Sequence, residues 1–184
     1  MIRPEGPSEY SIVDTIHERA FGRGHEARVV RAIRKSAGYV REWSLVAERA
    51  GEISGHILFS RVGLEDADGH VREIVVLAPL AVLPGEQRRG LGSALVQHGI
   101  ALLESVSEPI VVVRGELVYY RRFGFQPSLK VRIAAPFEVD VNHYLAKPLA
   151  EYSRDYCGVV RYPATFRSVG YEAEWDYPPR PVTR

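Results

Sequence analysis

The sequence lacks the features that mark secreted and membrane-spanning chains. Its 184 residues include one cysteine, Cys157, so neither an internal disulfide nor a cysteine-rich structural zinc site can form. No run approaches the 18 uninterrupted apolar residues of a membrane span. Residues 1–10 contain no apolar core of the kind that a signal peptide needs. We therefore expect a protein of a reducing compartment, the cytoplasm, with no membrane contact.

The chain also lacks an excess of charge of either sign. Lys and Arg number 24 against 23 Asp and Glu, which leaves a formal net charge of +1. Proteins that bind nucleic acid without specificity carry a large basic excess, so we expect no nucleic-acid partner. Apolar residues make up 46% and charged residues 26%, which is typical of a globular protein. The length predicts one domain over residues 1–184.

The hydrophobic pattern alternates between helical and strand-like spacing, which predicts a mixed α/β sheet. Ser8 is the expected N-cap of the first helix, and Gly124 the expected end of the last one. Pro79 interrupts the third strand and calls for a bulge or an edge, because proline cannot donate to a strand ladder. The predicted helices are 8–21, 25–37, 88–106 and 117–123; the predicted strands are 44–48, 53–62, 71–83 and 110–113.

The most informative segment runs from Leu80 to Val96 and is typical of a strand, a tight turn and a helix. Gly90 and Gly92 at the helix start would let backbone N–H groups approach a ligand, and a helix N-terminus favours phosphate. Arg88 and Arg89 add positive charge beside it. The segment is not a Walker loop, since no Lys-Ser/Thr follows, nor a dinucleotide fingerprint, which would need glycine at Leu95. Taken alone, this segment fits either an anion site or a turn in which the glycines only permit the backbone conformation.

Two motifs together resemble the GNAT superfamily of acetyl-CoA-dependent N-acetyltransferases. Gln87-Arg88-Arg89-Gly90-Leu91-Gly92 is similar to the family's Q/R-x-x-G-x-G/A loop, and Leu80-Ala81-Val82-Leu83-Pro84 to the strand before it. Tyr120-Arg121-Arg122-Phe123-Gly124-Phe125 is similar to its Y-x-x-x-G-F segment. The resemblance covers about residues 80–125, in the family's order and spacing.

The resemblance implies a fold and an activity. The fold is a mixed, mostly antiparallel central sheet flanked by helices, with the fourth and fifth strands splayed apart. Residues 137–184 would form a C-terminal extension, and a homodimer is possible. The activity is transfer of an acetyl or longer acyl group from acetyl-CoA to an amine of a small molecule or peptide.

The resemblance also implies which residues bind the cosubstrate. The pyrophosphate would lie on the backbone N–H groups at the helix start, and the pantetheine arm would pair with the fourth strand. The N–H of Val82 is the expected donor to the thioester carbonyl. The predicted set is Leu80, Ala81, Val82, Gln87, Arg88, Arg89, Gly90, Leu91, Gly92 and Ser93.

Tyr120 matches the family's general acid, which assists the leaving thiolate. Its neighbour Tyr119 has the wrong spacing to Gly124 for that role. The base is open, because Val113 stands where many members have asparagine, and the fifth strand, where several members carry a glutamate base, has only valine and isoleucine before Arg114. Glu116 is the tentative base.

Other carboxylates and the histidines are further candidates for functional groups. Glu48 and Glu73 are alternative bases, although an ordinary surface role fits each of them better. His56 is expected to be a packed histidine, and Cys157 an inert thiol. The histidines show no metal-ligand spacing, so no metal is expected.

Two further functions remain open at this point. A non-catalytic acetyl-CoA-binding regulatory module could use the same fold without a base. A phosphate- or nucleotide-binding α/β protein outside the family could use the same glycine-rich turn.

Overall fold

The computed structural model describes residues 1–171, whose strands form one mixed sheet. Seven strands lie in the order β1-β2-β3-β4-β5-β8-β6, and β9 pairs with both β3 and β7. Every pairing is antiparallel except β4 with β5 and β7 with β9. The sheet is therefore mostly antiparallel, as the family resemblance predicts. The strands are β1 Ile2–Pro4, β2 Tyr39–Arg49, β3 Glu52–Glu65, β4 Val71–Val82, β5 Ile110–Arg114, β6 Gln126–Pro127, β7 Ile133–Ala134, β8 Tyr144–Pro148 and β9 Gly158–Arg161.

Helices cover both faces of this sheet. They are α1 Tyr10–Phe21, α2 His25–Arg34, α3 Leu91–Ser105, α4 Leu117–Tyr120 and α5 Ala164–Arg167. The predicted Ser8 cap is wrong: a 3-10 turn over Pro7–Glu9 precedes α1, and the Glu9 carboxylate accepts the Gly6 N–H at 2.6 Å. Within residues 1–171, no helix is both long enough and apolar enough to cross a bilayer.

β5 is buried on both faces, as its run of β-branched residues predicts. Ile110, Val111 and Val112 are 0% exposed. Val111 and Val113 face α3, whose Leu95, Val96 and Leu103 belong to the same core cluster. Ile110 and Val112 face the opposite core, which contains side chains of α1, α2 and α5. The sheet therefore separates an α3 face from an α1–α2 face.

β4 and β5 run parallel for only a short distance and then separate. Their register covers residues 75–77 of β4, opposite 111–113 of β5. On its other side, β4 stays paired with β3 as far as Val82 opposite Gly55. The register shifts where Ala78 and Pro79 face the single residue Leu58, which is the bulge that Pro79 predicts. The expected splay of the fourth and fifth strands is confirmed.

The part of the chain after residue 136 contributes strands to this sheet. β8 pairs with β5 over all five β5 residues, so it covers the edge that faces away from β4. β9 pairs with Gly63–Glu65 of β3, which lie beyond the β3 residues that pair with β2. Val160 and Phe166 are 0% exposed in the α1–α2 core. Residues 172–184 of the expected C-terminal extension lie outside the described residues.

A chain of buried polar groups links α1, β3 and β2 in the α1–α2 core. His17 Nε2 lies 2.9 Å from His56 Nδ1, and His56 Nε2 lies 2.9 Å from Ser44 Oγ. Ser44 donates its hydroxyl proton to Glu5 at 2.6 Å, and Glu5 accepts two hydrogen bonds from Arg34. Because Ser44 donates to the carboxylate, it accepts from His56 Nε2–H, and His56 Nδ1 then accepts from His17. His56 is thus the packed histidine that was expected.

Burial determines the charge state of this histidine pair. Desolvation, with a smaller contribution from the Arg34 charge, lowers the pKa of His17 to about 3. Desolvation also lowers the pKa of His56 well below its ordinary value, aided by His17 and Arg34. Both rings are therefore neutral near pH 7, and the 3.8 Å approach of His56 to Glu5 is not an ion pair.

This arrangement predicts that stability falls between pH 7 and pH 5.5. The unfolded chain protonates His17 near pH 6.5, whereas the folded chain keeps it neutral down to about pH 3. The unfolded state therefore binds the extra proton, and the free energy of unfolding falls by about 1.4 kcal/mol per pH unit for this residue once the pH is below 6.5. Urea unfolding at several pH values measures the slope.

His17→Gln removes one titrating group. It should therefore reduce the slope by about 1.4 kcal/mol per pH unit, which corresponds to the uptake of one proton. The matched control is His70→Gln, because the His70 side chain is 73% exposed. Equal slopes for His17→Gln and the wild type would contradict the assignment.

Candidate active site

The loop between β4 and α3 has two residues in left-handed backbone conformations. Arg88 has φ +60° and Gly90 has φ +84°. A helix cannot run through such residues, so α3 starts at Leu91, and the predicted start at Arg88 is wrong by three residues. Ala94 N–H donates to Gly90 O at 2.9 Å as the first bond of α3. The N–H groups of the preceding turn, Leu91 to Ser93, are those that a helix leaves without an internal partner.

Polar contacts hold this loop against the end of β4. The Gln87 side-chain amide donates to Val82 O at 3.0 Å. Glu86 forms ion pairs of 3.1 Å with Arg49 and with Arg89. Arg89 is therefore already paired, whereas Arg88 lies exposed at the surface of the loop. Of the two arginines in the motif, Arg88 is the one left to supply mobile charge.

β4 has an open edge from Ala78 to Val82, where β5 no longer pairs with it. Leu83 N–H donates to Ser54 O of β3 at 2.9 Å. Successive N–H groups of a strand point to opposite sides, so the N–H groups of Leu80 and Val82 point away from β3. The structure thus places the predicted Val82 donor on the open edge, a few residues before the first turn of α3.

Tyr120 occupies a packed position at the end of α4. It is 7% exposed, and its ring makes edge contacts with Tyr119 at 4.9 Å and Phe125 at 5.4 Å between centroids. A Cβ on Gly115 would lie 2.5 Å from Tyr120 Cε2. The glycine after β5 is therefore needed for space: any side chain there would displace the tyrosine ring.

Glu116 lies one helical turn before Tyr120 and is linked to His143. The N–H of Tyr120 donates to Glu116 O at 3.0 Å. The Glu116 carboxylate lies 2.9 Å from His143 Nε2, and His143 Nδ1 lies 3.6 Å from Asp140. Glu116 and His143 are 33% and 27% exposed, so solvent reaches both. Sequence reasoning missed His143 as a partner, since 27 residues separate the two and no local pattern links them.

The other two candidate bases lie away from the open edge of β4. Glu73 is 71% exposed and precedes the stretch where β4 pairs with β5, whereas the open edge follows that stretch. Glu48 lies on β2 and pairs with Arg3 at 3.4 Å. The structure brings Glu116, not these residues, next to the helix that carries Tyr120.

Tyr119 contacts the first turn of α3. A Cβ on Gly92 would lie 3.0 Å from the Tyr119 hydroxyl oxygen. Sequence spacing excludes Tyr119 as the acid but does not reveal this contact.

An aromatic group lies at the end of β5 on the α1–α2 face. The Arg114 guanidinium packs on the Phe137 ring at 4.4 Å and donates to Tyr171 O at 3.1 Å. Burial lowers the pKa of Arg114. Phe137 and Tyr171 of the C-terminal extension therefore pack beside the strand that ends at the candidate site.

One group of possible metal ligands occurs within residues 1–171. Asp66, Asp68 and His70 bring ligand atoms within 4.8 Å of one another at the turn between β3 and β4. Asp66 accepts the N–H groups of Asp68 and His70 and pairs with Arg72 at 2.8 Å. These contacts account for the cluster as part of the turn.

Comparison with protein families and curated proteins gives consistent matches. Residues 40–127 match the family model of the Acetyltransferase (GNAT) domain. The chain is 34% identical over 138 residues to the uncharacterized N-acetyltransferase YjhQ of Escherichia coli K12, covering 74% of this chain and 75% of that protein. It is 31% identical over 126 residues to the uncharacterized N-acetyltransferase YhbS of the same strain, and the match covers 68% of this chain and 73% of that protein.

Solved structures extend the similarity to almost the whole chain. The GNAT family N-acetyltransferase YhbS from E. coli, in complex with CoA, has a TM-score of 0.80 at 28% identity and covers 91% of each chain. A GNAT family acetyltransferase from Brucella melitensis, in complex with acetyl-CoA, has a TM-score of 0.73 at 30% identity. That match covers 90% of this chain and 97% of the other.

Gly115→Ala tests the packing of Tyr120. The added methyl group collides with the ring, so we expect a loss of about 1–3 kcal/mol in the free energy of unfolding and an altered near-ultraviolet dichroism signal. Gly85→Ala is the matched control, because a Cβ there meets nothing within 4 Å. Chemical denaturation of both variants measures the difference, and equal stabilities would contradict the packing argument.

Proposed function

We propose that this chain, which belongs to the GNAT family of N-acetyltransferases, moves the acetyl group of acetyl-CoA to an amine of a small molecule or peptide by direct attack. The observation that carries the proposal is the open edge of β4 lying next to the first turn of α3. That pair of features offers strand N–H groups and helix N–H groups side by side. A ligand with both amides and phosphates matches them.

Acetyl-CoA has the chemistry that these two surfaces would bind. Its pantetheine arm carries amides, which can pair with the N–H and C=O groups that β4 presents from Leu80 to Val82. Its pyrophosphate suits the free N–H groups of Leu91 to Ser93 and the positive end of the α3 dipole. The solved relatives, one in complex with CoA and one with acetyl-CoA, support this assignment.

Val82 and Tyr120 would act on the thioester. The Val82 N–H, aimed at the open edge, would donate to the carbonyl oxygen as negative charge develops there. Tyr120 would donate its hydroxyl proton to the leaving sulfur. A phenol near pKa 10 is a weaker acid than a thiol near 8.5, so full transfer is uphill by about 2 kcal/mol. Tyr120 would therefore stabilise the thiolate by hydrogen bonding as much as by transfer.

Glu116 would take the proton from the attacking amine. A lysine-like amine with a pKa near 10.4 costs about 4–5 kcal/mol to neutralise at pH 7, so a base lowers the barrier. The Glu116 carboxylate is exposed to solvent and lies one turn before Tyr120. His143 Nε2–H would donate to this carboxylate at 2.9 Å and hold it in place.

Tyr120→Phe tests the acid. We expect kcat to fall by about 10²-fold, since general acids contribute 10²–10⁴-fold, while the Kd for acetyl-CoA changes by less than about twofold. The rate is followed by free-thiol release with a panel of polyamines, aminoglycosides, amino acids and peptides, and the Kd by calorimetry. Tyr156→Phe is the control, with no change expected.

Each failure of this test has a distinct meaning. An unchanged kcat would remove Tyr120 as the acid. Binding of acetyl-CoA without turnover on any amine would favour the non-catalytic regulatory module, which the absence of a carboxylate on β5 would suit. Binding of ATP in place of acetyl-CoA would reject both.

Glu116→Gln tests the base. The amide keeps the size of the side chain but cannot take a proton, so we expect kcat/KM for the amine to fall by about 10²-fold at pH 7. The loss should shrink as the pH approaches the pKa of the amine, which then arrives deprotonated. Glu73→Gln is the control, since Glu73 is 71% exposed and away from the site. A loss that is constant with pH would contradict the role.

A further inference from the structure

Tyr119 places a hydroxyl group at the first turn of α3. The ring is half-buried, and its oxygen lies 3.0 Å from the position that a Cβ on Gly92 would occupy. Gly92 does not have a positive φ, unlike Gly90. The second glycine of the loop motif therefore serves to make room for the Tyr119 hydroxyl.

Contacts on several sides hold the ring in this position. Tyr119 makes edge contacts with Tyr120 at 4.9 Å and with Phe123 at 5.5 Å. The Arg122 guanidinium stacks on its face at 4.3 Å and donates to the Tyr119 carbonyl at 2.9 Å. A side chain fixed in this way loses little conformational entropy when it binds a ligand.

The hydroxyl is equipped to donate a hydrogen bond at this place. Burial raises the pKa of Tyr119, so the oxygen keeps its proton throughout the neutral range. A phenol has one proton to donate and lone pairs to accept with. It can therefore donate its proton to another group at the first turn of α3. That turn is where the N–H groups of Leu91, Gly92 and Ser93 have no helical partner.

We propose that Tyr119 donates its hydroxyl proton to a phosphate oxygen of the acetyl-CoA pyrophosphate. This inference rests on the proposed function and adds a side-chain donor to the backbone donors of the loop. It gives the two neighbouring tyrosines separate tasks, with Tyr119 on the pyrophosphate and Tyr120 on the sulfur. One short helix then contacts both ends of the pantetheine arm.

The test compares two acetyl donors that share the thioester. Acetyl-CoA carries the pyrophosphate, and S-acetylpantetheine lacks it. A hydrogen bond to a charged group predicts that Tyr119→Phe raises the Kd and KM for acetyl-CoA about tenfold, with no change for S-acetylpantetheine beyond twofold. Acetyl-dephospho-CoA, which lacks only the 3′-phosphate, should show the same tenfold loss, which separates the pyrophosphate from the 3′-phosphate.

A second variant guards against a folding defect. Gly92→Ala keeps the hydroxyl but displaces it by a few tenths of an ångström, so it should raise the Kd for acetyl-CoA less than Tyr119→Phe does. Tyr152→Phe is the control for loss of a tyrosine hydroxyl, because that hydroxyl donates to the Val131 carbonyl at 3.5 Å and the ring packs against the α1–α2 core. Near-ultraviolet dichroism checks that each variant folds.

The outcomes separate this inference from the proposed function. Equal losses for acetyl-CoA and S-acetylpantetheine, or no loss for either, would overturn the role of Tyr119. A loss confined to donors that carry the 3′-phosphate would also overturn it. Failure of the wild type to bind acetyl-CoA would instead reject the proposed function.

Discussion

The early separation of β4 from β5 is the constraint on which the rest of the structure depends. The two strands pair over residues 75–77, and β4 then follows β3 alone to Val82. Unpaired N–H and C=O groups at a strand edge are costly to bury without a partner, so such an edge is stable only where solvent or a ligand satisfies it. The bulge at Ala78 and Pro79 is where β4 changes its register against β3. The open edge of β4 and the loop into α3 follow directly from that point, whereas Glu116 and Tyr120 come from the segment after β5.

Two glycines beside the site are explained by the tyrosines that lie over them. Gly115 leaves the space that the Tyr120 ring fills, and Gly92 leaves the space for the Tyr119 hydroxyl. Both tyrosines belong to the same four-residue helix, α4. The positions of β5, α3 and α4 are therefore coupled by close contacts, with little flexible side chain between them. A shift in one of these elements must move the others.

The sequence predicts the local elements well where residue type determines backbone conformation. Pro79 indicates the bulge, and the β-branched run at 110–113 indicates the central strand. Gly124 indicates the end of the 3-10 turn Arg121–Phe123 that follows α4. The start of α3 is missed because Arg88 adopts a left-handed conformation that arginine does not signal. Contacts between distant residues, such as Glu116 with His143 and Tyr119 with Gly92, depend on the order of strands and helices in space. No local pattern encodes that order.

The position of β8 has a consequence for how short the protein can be. The match to the family model ends at residue 127, but β5 is paired with β8 at residues 144–148. A chain shortened to the matched region would present β5 as a bare edge, four of whose five residues are valine or isoleucine. Such an edge recruits strands from other molecules. A shortened chain must therefore keep β8 if it is not to associate with other copies. That chain is longer than the segment that carries the motifs.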